Sequence, residues 1–362
     1  MKLFQWHFGL YLIPLAFLLP MSNANASNLN NVTCSAGMNT IPGSTGIVNL
    51  GTIAGTNTSP TKISVRLNYS CTHNGDTDGF VTLCFGVDGG FYDPGTISPR
   101  YLSLGGLYKE YNPARLTFTM KPDGLSLWGT RSSGLGNELK TLTLPIARKP
   151  VGGSPTVITG FFNVDIELSG PGNTPTTDGI YSNDFGDGSH TALSYNANSI
   201  SSSANCSTGK QQSNRFPFKV TANINKECKI TANPGTLDLG SASASEKNIT
   251  GNGNIGVKCT KSTPYNIGLA PMTPNPSGNT NGGGWLNGTG GNTNQVPYQL
   301  FSDAARTKKW GNNGSTFATL TNGVTGTSDD GLEKSHIVYV TVPSADFKPD
   351  TYTDTVTIKV NY

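Results

Sequence analysis

One internal repeat limits what this chain can fold into more than any other feature of its 362 residues. Cys34 and Cys228 lie 194 residues apart, and PTVITGFFNVDIEL (155–168) aligns with PDTYTDTVTIKVNY (349–362) at the same offset, Val164 falling on Ile358 and Leu168 on Tyr362. Between those ends the offset drifts to 188 for Cys71 and Cys259 and to 182 for the Trp-Gly pairs at Trp128 and Trp310, as insertions in loops produce. The reading is two copies of one 135-residue unit, 34–168 and 228–362.

Each copy reads as strands. TKISVRLNYSC (61–71), FVTLCFGV (80–87), ARLTFTM (114–120) and HIVYVTV (336–342) alternate apolar and polar residues between turn residues, the period of a half-buried strand. With 13% charged residues and 45 Gly, the chain is short of the residues that favour helices. The expected fold class is all-β, two immunoglobulin-like antiparallel β-sandwich domains. A balance of 25 Lys+Arg against 22 Asp+Glu leaves no surplus to neutralise many phosphates, so nucleic acid is not an expected partner. The 15 Phe, 13 Tyr and 4 Trp are too many for a disordered chain.

Lys2 precedes an apolar run from Phe8 to Leu19 that ends at Ala24-Asn25-Ala26, the pattern of a cleaved signal peptide over 1–26. The mature chain is expected to start at Ser27 and to be exported. Six cysteines in an oxidising compartment, none in a CxxC pair, favour disulfides over metal. If each copy closes its own bridge, Cys34 joins Cys71 and Cys228 joins Cys259, which leaves Cys84 with Cys206. The expected domains are 27–214 and 215–362.

Catalysis finds little support. Beyond the leader only His73, His190 and His336 remain, without a nucleophile elbow, a zinc-binding His pair or a phosphate loop around them. Asp76, Asp78, Asp184 and Asp187 sit in Asp-Gly-type turn sequences. No enzyme activity, cofactor or metal is expected.

The final strand carries the most information. Tyr352, Val356, Ile358, Val360 and Tyr362 fall on one face, and Thr353, Thr355, Thr357, Lys359 and Asn361 on the other. Such a strand is either an ordinary edge or one wall of a hydrophobic groove that invites a strand from another chain.

FPFKVTANINKECKITANPGTLDLG (216–240), IGVKC (255–259), PYQLFSD (297–303) with a following Trp-Gly, and this Tyr-bearing strand resemble the spore coat U-type domain of secreted bacterial pilins. The first copy resembles it more loosely. Such domains build archaic, Csu-type chaperone-usher pili, and two-domain members with this layout resemble tip adhesins. The resemblance implies a C-terminal pilin domain that lacks its final strand. It implies as partners a periplasmic pilus chaperone, an outer-membrane usher and a neighbouring pilin subunit, with Tyr352, Val356, Ile358, Val360 and Tyr362 lining the donor-strand groove. It places the protein at the pilus tip on the cell surface, in attachment and biofilm formation, against an abiotic hydrophobic surface or a cell-surface receptor. A structural pilus or coat subunit, a lectin-type adhesin and a secreted glycan-active enzyme are the alternatives.

Residues 27–33, SNLNNVT, are too few and too polar to fill a neighbour's groove, so the subunit is expected to receive a strand and not to donate one. The first domain's missing strand is expected in cis from TALSYNANSIS (191–201) or FPFKVTANI (216–224), the latter being alternatively the first strand of the pilin domain. With the linker leaving from the opposite end, the distal loops are expected at 72–79, 121–139 and 169–190. Their apolar residues, Leu125, Leu127, Trp128, Leu135, Ile180, Tyr181 and Phe185, are the candidate receptor contacts. Trp128 is the weaker of these, because its match to Trp310 argues for packing. A rival patch lies at 89–113.

Overall fold

The computed structural model describes residues 29–110, 114–129, 139–174, 176–186, 190–200, 212–233, 235–276 and 278–362. The leader and Cys206 lie outside the described residues.

Alternating apolar residues form strands in two successive sandwiches. The first contains β1 (Val32–Met38), β2 (Gly46–Ala54), β3 (Thr61–His73), β4 (Gly79–Val87), β5 (Arg100–Leu104), β6 (Arg115–Pro122), β7 (Lys140–Ile146), β8 (Thr156–Leu168), β9 (Gly179–Asp184), β10 (Thr191–Asn198), β11 (Gln212–Asn214) and β12 (Phe218–Asn225). Its sheets run β1-β3-β8-β6-β5-β9-β12-β2 and β11-β10-β4-β7. The second contains β13 (Cys228–Asn233), β14 (Lys247–Cys259), β15 (Pro264–Pro271), β16 (Gly283–Gly288), β17 (Gln295–Phe301), β18 (Val324–Thr327), β19 (Lys334–Ser344), β20 (Tyr352–Thr353) and β21 (Val356–Asn361). Its sheets run β13-β14-β19-β17-β16-β20 and β18-β15-β21.

The repeat is real, but its C-terminal register differs from the sequence alignment. Sheet order makes β8 the counterpart of β19, and β10 the counterpart of β21. The alignment had matched β8 to β21 because both are period-2 strands rich in branched residues, and a two-residue period carries no record of which neighbour a strand pairs with.

Cys34 and Cys71 face each other across β1 and β3, Cys228 and Cys259 do so across β13 and β14, and both pairs are disulfide-bonded. Loops of 37 and 31 residues correspond to about 3.5–4 kcal/mol each in the chain-entropy account. Cys84 is also disulfide-bonded, while the expected partner Cys206 lies outside the described residues.

Both segments considered for completing the first sandwich are strands of it. Residues 191–198 form β10 against β4. Phe218–Asn225 form β12, parallel to β2 on one side and antiparallel to β9 on the other. Phe218, Val220, Ala222 and Ile224 all lie in the first core. The expected boundary at 214/215 falls ahead of this strand, which pairs with β2 and β9 of the first sandwich. Only Lys226 and Glu227 separate β12 from β13.

The junction is closely packed. Thr56 Oγ1 donates to the Glu227 carboxylate, Glu227 N donates to Thr260 Oγ1 (3.0 Å), and Lys258 Nζ donates to Gly172 O (2.9 Å). A Cβ on Gly55 would stand 2.3 Å from Thr260 Oγ1, so glycine at this position leaves room for the Thr260 side chain.

Candidate functional site: an open sheet edge

A buried indole in each sandwich marks equivalent positions. Trp128 Nε1 donates to Phe85 O on β4 (2.9 Å), and Trp310 Nε1 donates to Ile267 O on β15 (2.8 Å). Opposite Phe85 stands Leu193 of β10; opposite Ile267 stands Val360 of β21. The strand next to the indole's acceptor is therefore comparable residue by residue in the two sandwiches.

The comparison separates them. Thr191, Leu193 and Tyr195 are 3%, 0% and 4% exposed. Their register counterparts Ile358 and Val360 are only half-buried, and Tyr362 is 53% exposed. The first sandwich covers this edge with β11, which pairs with β10, and then continues into β12. Among the described residues β21 pairs with β15 alone. Leu237, Leu239, Ile249, Val338, Phe347 and Tyr352 also pack on the second core while only partly buried. The six buried side-chain polar atoms without a partner among the described residues all belong to the second sandwich, Asn361 Nδ2 at the end of β21 among them.

A polar frame holds the turn that leads into this edge. Tyr298 hydroxyl donates to Asp354 Oδ2 (2.7 Å) between β20 and β21; burial, reinforced by the Asp354 hydrogen bond and charge, pushes the Tyr298 pKa far above its usual range. Asp350 accepts from Thr289 N (3.0 Å), Thr289 Oγ1 (2.8 Å) and Asn292 Nδ2 (2.8 Å), with the Thr289 and Asn292 side-chain hydrogen bonds as the main causes that lower its pKa. Tyr352 hydroxyl donates to Lys348 O (2.6 Å).

The loop residues distribute differently from expectation. Trp128 is fully buried and stacks on Phe216 at 6.0 Å. Tyr181 lies on β9, fully buried, its hydroxyl donating to Thr177 O (3.1 Å). Phe185 is buried and stacks on Phe218 at 4.5 Å. These three build the core and present no surface to a receptor in this fold. Ile180 is 63% exposed, Leu125 and Leu127 are half-buried, and Leu135 lies outside the described residues.

Nor is the 169–190 stretch wholly distal. Lys261 N donates to Thr176 O (2.9 Å), Thr177 bridges to Lys261, and Gly172 accepts from Lys258, so its first part abuts the second sandwich. A cleft of about 350 Å³ lined by Thr61, Asn57, Glu227 and Lys229 marks the junction end of β3. At about 3.3 Å per residue, the 13 residues of β3 carry the chain roughly 40 Å away to His73, where Nδ1 meets Ala147 O at 3.0 Å. Beyond Ala147 the turn Pro150-Val151-Gly152 leaves Val151 with no cover at all. Sequence reading missed Val151, since one valine beside Pro and Gly has no pattern to betray it.

In the rival stretch, Tyr92, Ile97 and Leu102 are buried, whereas Phe91 and Leu107 are exposed. Phe91 N donates to Asp184 O (2.8 Å) and Gly105 N to Ile180 O (2.8 Å), which lays the stretch along β9.

The turn aspartates serve the backbone: Asp78 Oδ1 accepts from Arg148 N (2.7 Å) and Asp184 Oδ1 from Gly186 N (2.6 Å), while Asp187 lies outside the described residues. His190 Nδ1 pairs with Asp88 Oδ2 at 3.0 Å. His336 Nε2 meets the Tyr265 hydroxyl at 2.8 Å, and burial lowers the imidazole pKa. Among the described residues no group of three or more His, Cys, Asp or Glu is placed to hold a metal ion.

Fold and site together define a two-module all-β protein, one sandwich closed within the chain and the next open along β21. Residues 214–359 match the model of the Spore Coat Protein U domain, so the chain carries that domain in its C-terminal part. The matched span begins upstream of β12, the strand that the structure places in the preceding sandwich. A search of curated proteins returned no match. Among solved structures, the chain is similar to the CsuC-CsuE chaperone-tip adhesion subunit pre-assembly complex of Acinetobacter baumannii at 10% identity, covering 91% of this chain and 100% of that one, TM-score 0.46. It is similar to a chaperone-tip adhesin complex of CFA/I fimbriae at 10% identity, 88% and 96% coverage and TM-score 0.28. The CooA pilin subunit of enterotoxigenic Escherichia coli aligns at 12% identity with 53% and 99% coverage, TM-score 0.26.

Proposed function

We propose that this chain is the tip adhesin subunit of a chaperone-usher pilus. Its second sandwich accepts a strand along β21, first from a periplasmic chaperone and then from the neighbouring subunit at the outer-membrane usher. Its first sandwich, completed by β11 and β12 of its own chain, faces outward and attaches the cell to a surface. One observation carries the reading: Thr191, Leu193 and Tyr195 are buried, whereas their register counterparts Ile358 and Val360 are half-buried and Tyr362 is exposed, beside an edge unpaired among the described residues. An apolar edge of this kind gains by β-augmentation, in which main-chain hydrogen bonds supply affinity and alternate side chains enter pockets. The match to the spore coat U domain supports the same role for this module.

The contact surface assigned here is the end of the first sandwich remote from the junction, with Val151 at its turn, and Ile180, Leu125 and Leu127 as the remaining accessible candidates. The test is co-purification of the full chain from periplasm. The reading requires a stoichiometric chaperone that is released when Val356, Ile358 and Val360 are together changed to aspartate. A monomeric, stable chain that binds no chaperone defeats it.

A further inference from the structure

Among the described tryptophans, Trp128 and Trp310 are buried donors to main-chain carbonyls, and Trp285 differs from both. Trp285 lies on β16 opposite Pro297 of β17, and the next residue, Leu286, packs on the second core, so strand alternation turns the Trp285 indole to the outer face of the sheet. The side chain is half-buried, and its ring nitrogen has no hydrogen-bond partner among the described residues. Core packing does not account for a large amphipathic ring kept half wet in this way.

The indole forms one wall of an open cleft of about 630 Å³, within the range of roughly 300–1,000 Å³ for small-molecule sites. Asn294 and Gln295, where the chain enters β17, and Asp346, Phe347 and Lys348, which follow β19, complete the lining used here. The two sides are braced against each other. Asp350 accepts from Thr289 N, Thr289 Oγ1 and Asn292 Nδ2, Asn292 Nδ2 also donates to the Tyr352 hydroxyl (3.0 Å), and Phe347 meets Tyr352 edge-on with ring centroids 6.4 Å apart. A cleft held in this way costs little to order when it is filled.

The lining indicates what fills it. Asp346 and Lys348 supply one charge of each sign, so the cleft favours no net charge in its occupant. The Asn294 amide and the Asp346 carboxylate have no side-chain partner among the described residues, and Gln295 Nε2 donates to Asn287 Oδ1 (2.9 Å), which leaves Gln295 Oε1 to accept. Amides and carboxylates together offer donors and acceptors, the complement of neighbouring hydroxyls, each of which is both. No strand edge is free here for a peptide: β16 pairs with β17 on one side, and on the other Trp285 N donates to Thr273 O (2.8 Å) while Asn287 and Gly288 pair with β20.

We infer that this cleft is a saccharide-binding site, for a neutral glycan whose ring stacks its C–H face on Trp285 and whose hydroxyls are held by Asn294, Gln295 and Asp346. It gives the second sandwich a carbohydrate contact of its own, and it depends neither on the β21 edge nor on the distal turn of the first sandwich.

The test applies the full chain to an array of neutral and sialylated oligosaccharides, and then titrates the best-retained neutral glycan against the chain with indole emission as the readout. Binding is expected to change the emission of the parent chain. Trp285→Phe keeps a stacking face and is expected to bind within about three-fold of the parent without the emission change, whereas Trp285→Ala and Asp346→Ala weaken binding by about ten-fold or more. Asp346 is exposed, so its variant reads the site independently of folding. Val151→Asp, on the first sandwich, is expected to bind as the parent does. Retention of no neutral glycan, preference for sialylated glycans, unchanged binding in both alanine variants, or an equal loss in Val151→Asp overturns the inference.

Discussion

Phe218→Ala tests whether β12 belongs energetically to the sandwich it pairs with. Phe218 is 0% exposed, stacks on Phe185 at 4.5 Å and lies 6.4 Å from Phe216, while flanking residues pair with β2 and β9. Truncating a buried Phe to Ala leaves a cavity and costs about 3–5 kcal/mol. The ring stack places this site near the upper part of that range, since an aromatic pair contributes about 0.5–1.5 kcal/mol beyond its buried area. For a domain of this size, each kcal/mol moves the melting temperature by about 2–4 °C. A loss near 4 kcal/mol therefore lowers melting of the first sandwich by roughly 8–16 °C. Hydrogen exchange by mass spectrometry across a urea series reads the sandwiches separately, with peptides from β4 for the first and β15 for the second. The β4 midpoint is expected to drop and the β15 midpoint to hold. A drop at β15 with β4 unchanged refutes the placement of β12 and restores the boundary at 214/215.

Three further outcomes follow from the geometry. Leu193→Ala is expected to cost about 2–5 kcal/mol in the first sandwich, whereas Val360→Ala in the free chain costs less than half as much, because Val360 is half-buried; equal losses in urea titrations argue against an open edge. His336 has its pKa lowered by burial, so its neutral form is favoured in the folded state. Its contribution to stability is complete above the unfolded value near 6.5 and is lost as pH falls through the folded value, and a His336→Gln variant should lack this slope in denaturation midpoints measured from pH 7.5 to 5. Val151→Asp is expected to weaken attachment of piliated cells to a hydrophobic surface without lowering export or melting temperature, whereas Tyr181→Ala and Phe185→Ala act through loss of fold; normal attachment by the Val151 variant removes the distal turn from the contact surface.

Much of this was legible in the residues, and the exceptions share a cause. The bridges at Cys34–Cys71 and Cys228–Cys259 followed from a repeat of cysteine-bearing strands, and they hold because each pair sits at directly opposed ladder positions. The two faces of β21 were readable because strand periodicity is local. Pairing is not local, so the same periodicity matched β8 to the wrong partner. Tyr181 and Phe185 were read as loop residues because GIYSNDFGDG is rich in Gly, Asn and Asp, yet β9 is held between β5 and β12, and those neighbours lie far away in sequence.

The central claim, that β21 is an acceptor edge, is tested most directly by hydrogen exchange over residues 356–362 in the free full chain and in its complex with the periplasmic chaperone. The account predicts rapid exchange in the free chain and protection comparable to β10 in the complex. Full protection already in the free chain, or unchanged exchange in a stoichiometric complex, contradicts it.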